Sequence, residues 1–348
     1  MRTLVAAGAA LLLATVFTTA SADPAVAQAG PSATVPIEEW TVPWERSRPR
    51  DPAVAPDGRV WFVGQAGNYI AVLEPATGEF ERYEIEPGTH PHNLIIDGSG
   101  QVWYAGNRNA RIGRLDPDTR DVRTYPMPEG AQDPHTLVLA PDGSLWFSVQ
   151  QGNFVGRLDT ASGAVRLVKP SVEGARPYGI VMGAGGRPWF TLFGSNRLGT
   201  VDPRTMEMRE YTLPAAGARP RRIALTSDGM VWYVDYTRGY LGRLDPRSGE
   251  VREWAAPSGQ RSLPYAMTVD DADRLWFVET GVQPNQLVSF DPRTERFTTV
   301  TPIAESGGGT VRHMVFDKAT GTIWFGTDRD TIGRGSVARA DTPARSIP

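Results

Sequence analysis

Seven tryptophans recur along the chain at nearly constant spacing, and this period constrains the fold more than any other feature. They are Trp61, Trp103, Trp146, Trp189, Trp232, Trp276 and Trp324. The differences between successive positions are 42, 43, 43, 43, 44 and 48 residues. A period of about 40 to 45 residues, with short apolar runs and glycine turns, is typical of β-propeller blades. The sequence therefore predicts seven copies of one unit arranged in a ring.

Each copy is predicted to contain four antiparallel strands. In the second copy, alternating apolar residues predict strands at 93–97, 101–106, 111–115 and 122–125, separated by Gly, Pro, Asn and Asp. Such alternation between turn residues is the signal for strands joined by hairpins. We therefore predict an all-β fold, a seven-bladed β-propeller of four-stranded antiparallel blades, over residues 36–340.

The two ends of the chain are predicted to meet in the last blade. The final copy has no clear fourth strand after the segment 331–334. The N-terminal segment 39–43, EWTVP, has the same form as a fourth strand elsewhere, such as YTLP at 211–214. We expect residues 36–43 to complete blade seven, because closing the ring in this way removes an open seam between blades.

Residues 1–22 have the layout of a secretory signal peptide. A basic residue, Arg2, precedes an apolar run at 4–17, and the small residues at 20–22 predict cleavage after Ala22. The apolar run is shorter than the roughly 20 residues that span a bilayer, and no later stretch is long enough. We expect a soluble secreted or periplasmic protein, with a flexible linker at 23–35 and a disordered tail at 341–348.

Composition excludes some classes of function. The chain has 36 basic and 39 acidic residues, a net charge of −3, and no basic block, so charge gives no reason to expect nucleic-acid binding. It has no cysteine, so the core must supply the stability that disulfides give many exported proteins. We expect a monomer that takes a small-molecule or peptide-like substrate at the mouth of the central channel.

The residues at one equivalent position of the seven copies are expected to surround that mouth. The innermost strand of a blade lines the channel, and its first residues lie eleven positions before the tryptophan. These residues are Arg50, His92, His135, Tyr178, Arg221, Tyr265 and His313. Three of the four histidines in the chain fall here, and imidazole suits both proton transfer and metal binding. A polar rim whose side chains only satisfy one another is the alternative interpretation.

Acidic side chains stand close to this position. Asp133 lies two residues before His135, and Asp235 and Glu279 lie three residues after their tryptophans, at the end of the second strand. The start of the first strand and the end of the second meet on one face, because the two strands are antiparallel. The sequence therefore predicts a concave polar site at one end of the channel.

The repeated pattern resembles the virginiamycin B lyase (streptogramin B lyase) family over residues 36–340. It is complete in the third copy, as PH at 134–135, WF at 146–147 and GRLD at 156–159. The resemblance implies a seven-bladed propeller that opens a cyclic depsipeptide antibiotic by elimination at its ester linkage, with Mg²⁺ at the mouth. A hard cation would polarise the ester carbonyl while a histidine base removes the proton.

The resemblance also implies which residues would act. The family's set is a His at the start of one blade, a Glu-x-His in the next and a Glu three residues after that blade's Trp. His92 matches the first His, Asp133-Pro134-His135 matches the Glu-x-His with a shorter acid, and Val149 replaces the last Glu. The implied catalytic residues are therefore His92 and His135. The implied metal ligands are Asp133, His135 and Glu279, and the implied substrate contacts are Arg50, Tyr178, Arg221, Tyr265 and His313.

In the family this set lies in the final blades. The final blade of this chain has His313, but Val311 and Thr327 stand at its two acidic positions, and Tyr265 stands where the preceding His would be.

Three functions remain open from the sequence. The first is a metal-dependent lyase that acts on a cyclic or ester-bearing substrate. The second is a non-catalytic propeller whose Arg50, Arg221 and aromatic rim hold an anionic ligand, a cell-wall fragment or a protein partner. The third is a lactonase-type hydrolase, which would need several oxygen ligands around calcium.

Overall fold

Each of the seven repeats forms one four-stranded antiparallel sheet, and the sheets are arranged in a ring, which confirms the predicted fold. The computed structural model describes residues 33–304 and 309–337. The predicted signal peptide at 1–22, the tail at 341–348 and most of the linker at 23–35 lie outside these residues. No helix within the described ranges is long and apolar enough to cross a membrane.

The strands follow one another from the channel outwards in every blade. Blade one contains β2 (Pro49–Val54), β3 (Val60–Gly64), β4 (Tyr69–Glu74) and β5 (Glu79–Glu84). Blade two contains β6 (Pro91–Ile96), β7 (Val102–Gly106), β8 (Arg111–Leu115) and β9 (Val122–Pro126). Blade three contains β10 (Pro134–Leu139), β11 (Leu145–Val149), β12 (Phe154–Leu158) and β13 (Val165–Val168). Blade four contains β14 (Pro177–Met182), β15 (Pro188–Leu192), β16 (Arg197–Val201) and β17 (Met208–Thr212).

The remaining blades repeat this order. Blade five contains β18 (Pro220–Leu225), β19 (Val231–Asp235), β20 (Tyr240–Leu244) and β21 (Val251–Ala255). Blade six contains β22 (Pro264–Val269), β23 (Leu275–Glu279), β24 (Asn285–Asp291) and β25 (Arg296–Ile303). Blade seven contains β26 (Met314–Asp317), β27 (Thr322–Gly326), β28 (Thr331–Ser336) and the N-terminal strand β1 (Ile37–Thr41). Short 3₁₀ turns occupy Ala184–Gly186 and Gly259–Arg261.

The N-terminal strand closes the ring as predicted. β1 pairs antiparallel with β28, and Trp40 stacks on Trp324 with ring centroids 5.4 Å apart. The outer strands of other blades supply the same contact, as Tyr83 does on Trp61 at 5.1 Å. Trp40 therefore takes the place of an outer-strand aromatic residue in a blade whose other strands come from the far end of the chain.

The repeat tryptophans belong to the packing between blades. Trp61, Trp146, Trp232 and Trp276 are at most 1% exposed. Trp61, for example, lies in a cluster with Leu94 and Tyr104 of the next blade. Large buried aromatic side chains contribute much of the apolar area that holds such interfaces together. The period that reveals the fold is therefore a packing feature, and it carries no chemistry of its own.

A bulge at the start of each innermost strand shapes the channel mouth. In blades one to six the register between the first two strands shifts there, as it does between Arg50 and Ala53. A bulge turns side chains away from the regular alternation of a strand. In these six blades the bulge thereby allows two consecutive residues to face the channel.

Candidate functional site

The side chains eleven residues before the tryptophans surround one end of the channel, and we call them the mouth set. Its members are Arg50, His92, His135, Tyr178, Arg221, Tyr265 and His313. Five are buried, whereas Arg221 and His313 are partly exposed. The rings of His92 and His135 lie 3.5 Å apart between centroids, and His135 lies 4.3 Å from Tyr178. The structure thus brings residues of blades two, three and four into contact.

The two adjacent histidines are held uncharged. The Nδ1 of His92 donates to the carbonyl oxygen of His135 at 3.1 Å, and the Nδ1 of His135 lies 2.9 Å from the Thr136 hydroxyl. Burial, reinforced by the positive charge of Arg50, lowers the pKa of His92 well below its ordinary value. Burial and the charge of Arg222 do the same for the pKa of His135. Both rings are therefore neutral at neutral pH.

A second layer lies directly behind the mouth set, one residue further along each strand. In four blades this position is polar, and we call the four residues the plug: Asp51, Asn93, Thr136 and Arg222. Arg222 crosses the channel, because its guanidinium contacts Asp51 Oδ2 at 3.4 Å, Thr136 Oγ1 at 3.4 Å and the carbonyl oxygen of Arg312 at 3.2 Å. It therefore links blade five to blades one, three and seven.

Asp51 is the carboxylate at the centre of the plug. It is fully buried and accepts from Arg50 Nε at 3.0 Å and from Asn93 Nδ2 at 3.0 Å, in addition to Arg222. Burial would raise the pKa of Asp51, but the positive charges of Arg50 and Arg222 outweigh burial and hold the pKa far below its ordinary value. Its backbone has φ of +49°, a left-handed conformation that Asp and Asn tolerate better than most residues.

Arg221 is packed among four aromatic rings at the partly exposed surface of the mouth. Its guanidinium carbon lies 3.6 Å from the Tyr265 ring centroid, 4.2 Å from Tyr236, 4.8 Å from Phe193 and 5.2 Å from Tyr178. Contacts of a guanidinium with aromatic faces are favourable, more so when water is excluded. The aromatic rings therefore hold the cation in place.

The hydroxyl groups of Tyr178 and Tyr265 share a short hydrogen bond in this cluster. Burial raises the pKa of Tyr178, and the neighbouring Tyr265 raises it further. Burial would also raise the pKa of Tyr265, but Arg221, Arg50, Arg222 and Arg312 together lower it to about 8. Tyr265 is thus the group of this pair that ionises first.

We expect one tyrosine to titrate near pH 8 in the folded protein. The pKa of Tyr265 is about 8 when folded against an ordinary value of 10.0, so its contribution to stability is complete above pH 10 and is lost as the pH falls through 8. The near-ultraviolet absorbance of tyrosinate measures this step directly. It should disappear in Tyr265→Phe and persist in Tyr240→Phe, and an unchanged step in Tyr265→Phe would contradict the assignment.

The predicted acidic metal ligands are turned to other partners. Both carboxylate oxygens of Asp133 accept backbone N–H groups, from Gln151 at 2.6 Å and from Gly152 at 2.9 Å. Glu279 is fully buried and accepts from the backbone N–H of Ser258 at 2.9 Å and from its hydroxyl at 2.5 Å. Each carboxylate therefore holds a neighbouring loop in place through these hydrogen bonds.

The final blade carries a cation next to a position where the family resemblance implies an acid. Arg312 lies between Val311 and His313, and Asp328 holds its guanidinium through contacts of 2.6 and 3.1 Å. Across residues 33–304 and 309–337, no group of three or more His, Asp and Glu side chains could hold a metal ion. The arrangement of these donors, beside four arginines, does not fit a Mg²⁺ site.

The sequence prediction missed Arg222, Arg312 and Asp51. The sequence did contain a signal for Asp51 and Arg222. The position after the mouth set is charged at these two residues, whereas it is Gly179, Ala266 or Met314 in other blades. Arg312 also breaks the pattern, since the first six blades have proline at its position. Departures from a repeat at channel-facing positions could therefore have identified these residues.

A family model described as the Virginiamycin B lyase family matches residues 35–335. The chain belongs to the virginiamycin B lyase family. No curated protein matches it. Membership agrees with the seven-bladed fold and with the repeat, which runs through the whole matched range.

Solved structures of this family resemble the chain closely in fold. The virginiamycin B lyase of Staphylococcus aureus is 25% identical with a TM-score of 0.79, and the match covers 87% of this chain and 99% of that one. A catalytically inactive histidine-to-alanine variant of the same enzyme, solved with quinupristin, has the same identity, coverage and TM-score. An extracellular domain from B. thetaiotaomicron, 17% identical with a TM-score of 0.65, shares only the fold; the match covers 90% of this chain and 43% of that one.

Proposed function

We propose that this propeller binds an anionic ligand, a small molecule or peptide-like group with a carboxylate, at the channel mouth. The observation that carries the proposal is a pair of buried guanidinium nitrogens, Arg50 Nη2 and Arg221 Nε, that have no hydrogen-bond partner among the described residues. Leaving a buried charged donor unpaired is costly, so a ligand that satisfies it gains affinity. The planar guanidinium matches a carboxylate in particular.

The charge balance of the mouth supports the same conclusion. Four guanidinium groups, those of Arg50, Arg221, Arg222 and Arg312, converge there. Three of them, Arg50, Arg222 and Arg312, contact only two carboxylates, Asp51 and Asp328. The excess positive charge attracts anions and repels divalent cations. Phe193 and Tyr236 are partly exposed beside Arg221, so an aromatic or apolar group next to the carboxylate would also be accommodated.

The test compares charged probes with neutral ones of the same shape. Acetate, benzoate and inorganic phosphate should each raise the thermal unfolding midpoint, because a ligand that binds only the folded state stabilises it. Acetamide and benzamide should not. The increase in the unfolding midpoint that benzoate causes should become smaller with added sodium chloride, since salt screens the charge of the cationic mouth. Equal shifts with benzamide and benzoate would overturn the proposal.

The antibiotic substrate of the family is expected to remain uncleaved by this protein. The S. aureus relative was solved with quinupristin, but here Val311 and Thr327 replace the acids that the resemblance implies, and Asp133 and Glu279 fasten loops. We expect quinupristin to remain intact when it is incubated with this protein and magnesium, as measured by liquid chromatography and mass spectrometry. Ring opening that is lost in His313→Ala would contradict this and favour a lyase.

We also propose that the protein is exported, on the layout of its first 22 residues. The mature protein recovered outside the cytoplasm should begin at Asp23. N-terminal sequencing measures this directly. Recovery of the uncleaved chain from the cytoplasm alone would contradict it.

A further inference from the structure

The end of the channel opposite the mouth is surrounded by apolar side chains at a single register. Seven residues before the repeat tryptophan, six of the seven blades carry an aliphatic side chain, and all six are partly exposed: Val54, Ile96, Leu139, Met182, Leu225 and Val269. The seventh blade has Asp317. Three of these side chains, Met182, Leu225 and Val269, line one cavity.

A cavity of about 290 Å³ continues inwards from this opening. Its walls come from blades four to seven and include Ile180, Met182, Met267 and Met314. Methionine side chains are flexible and adapt to the shape of a ligand. At about 30 Å³ per water molecule, the volume corresponds to about ten waters, which is also the size of a small organic ligand.

The inner end of the cavity is polar. Arg222 and His313 line it, and His313 Nδ1 is buried and has no partner within the part of the chain that the structure describes. Arg222 and Arg50 share the single carboxylate of Asp51, so this end of the cavity carries an excess of positive charge. Burial lowers the pKa of His313 to about 4, so the imidazole itself is neutral.

We propose that this cavity is a second binding site, for a medium-chain fatty acid. The carboxylate would lie against Arg222 and His313, and the alkyl chain would extend along the apolar walls towards the opening. An amphiphile with one anionic end matches a cavity that is cationic at its inner end and apolar elsewhere. The site is distinct from the mouth: Arg222 and His313 border both, but the cavity extends from them towards the opposite end of the channel.

Calorimetric titration of the mature protein with acetate, hexanoate, octanoate and octylammonium tests the proposal without any variant. Each buried methylene should strengthen binding about fourfold, so octanoate should bind roughly fifteenfold more tightly than hexanoate. Octylammonium should not bind, because its charge is repelled at the inner end. Affinity that does not depend on chain length, or equal binding of octylammonium, would overturn the proposal.

A matched pair of variants locates the site. Met182→Glu places a charge in the cavity wall and should weaken octanoate binding at least about tenfold, since a carboxylate there repels the ligand and wets the wall. Leu139→Glu makes the same change at the same register in blade three, which does not line the cavity, and should change affinity less than about twofold. Equal losses in both variants would contradict the assignment. Circular dichroism confirms that each variant is folded.

One further variant separates this site from the mouth. Arg221→Gln removes a mouth guanidinium that does not line the cavity, so it should weaken only the octanoate that binds at the mouth and leave the site with chain-length-dependent affinity unchanged. If octanoate binding is lost in Arg221→Gln, the fatty acid binds at the mouth and the second site does not exist. If benzoate fails to bind while octanoate binds, the mouth proposal fails and the cavity proposal stands.

Discussion

Replacement of Asp51 by asparagine should lower the free energy of unfolding by about 3 to 5 kcal/mol, the usual cost of breaking a buried ion pair from one side. Asp51 is fully buried, and the two arginines that it joins, Arg50 and Arg222, are 5% and 3% exposed. Asparagine keeps the shape and tolerates the left-handed backbone, so the loss would come from charge. Two buried guanidinium groups would then face each other without a counter-ion.

Urea unfolding of the variant at pH 7 measures this loss. Asp57→Asn is the matched control, because Asp57 is exposed and pairs with Arg59 in a surface turn, where an ion pair contributes at most about 1 kcal/mol. The pKa of Asp51 is lowered in the folded state, so its stabilisation is present above the ordinary aspartate range and is lost as the pH falls below it. Equal losses in the two variants would contradict the central role of Asp51.

Arg221→Gln should weaken the binding of benzoate at the mouth at least about tenfold. A hydrogen bond to a charged group contributes about 1.5 to 3 kcal/mol, and about 1.4 kcal/mol corresponds to a tenfold change in affinity. Arg221→Lys should fall between the wild type and the glutamine variant, since lysine keeps the charge but cannot offer two parallel donors to one carboxylate. Calorimetric titration of the three proteins with benzoate measures the order of their affinities.

Arg166→Gln is the control for that series. Arg166 is exposed on the outer strand β13, so its replacement changes the net charge by the same amount far from the mouth. It should leave benzoate affinity within about twofold of the wild type, because charges beyond a Debye length are screened. A tenfold loss in Arg166→Gln would mean that benzoate responds to overall charge and has no defined site at Arg221.

The fold could be predicted from the sequence because one packing requirement recurs in every blade. Each blade needs a large buried aromatic ring at the same place. Trp61, Trp103 and their equivalents meet this need, so they recur at a nearly constant spacing in the sequence. The N-terminal strand followed from the same rule, since Trp40 supplies the aromatic contact that Trp324 would otherwise lack. Repetition also predicted which side chains share the mouth, and His92 and His135 are in contact.

The chemistry of the site was harder to predict, because it depends on directions that spacing does not determine. Asp133 has the right position in the chain for a metal ligand, yet its carboxylate is turned to the backbone N–H groups of Gln151 and Gly152. A carboxylate just before a strand can face the channel or fasten a neighbouring loop, and the sequence pattern is the same in both cases.

The plug depends on contacts between distant parts of the chain. Arg222 reaches Asp51 and Thr136, which are 171 and 86 residues away in sequence. No local pattern pairs these residues, and only the closed ring brings them together. Departures from the repeat at channel-facing positions are therefore the most useful sequence signal for function in this propeller.

Crystals of the mature protein soaked separately in selenate and in manganese chloride test the central claim most directly. Anomalous scattering identifies each ion, and selenate carries the oxygen atoms that a guanidinium recognises. The predicted result is a selenate ion within hydrogen-bonding distance of Arg221 Nε and Arg50 Nη2, and no manganese at the mouth. A manganese ion bound to His92, His135 or His313, with the mouth free of selenate, would contradict an anion-binding propeller.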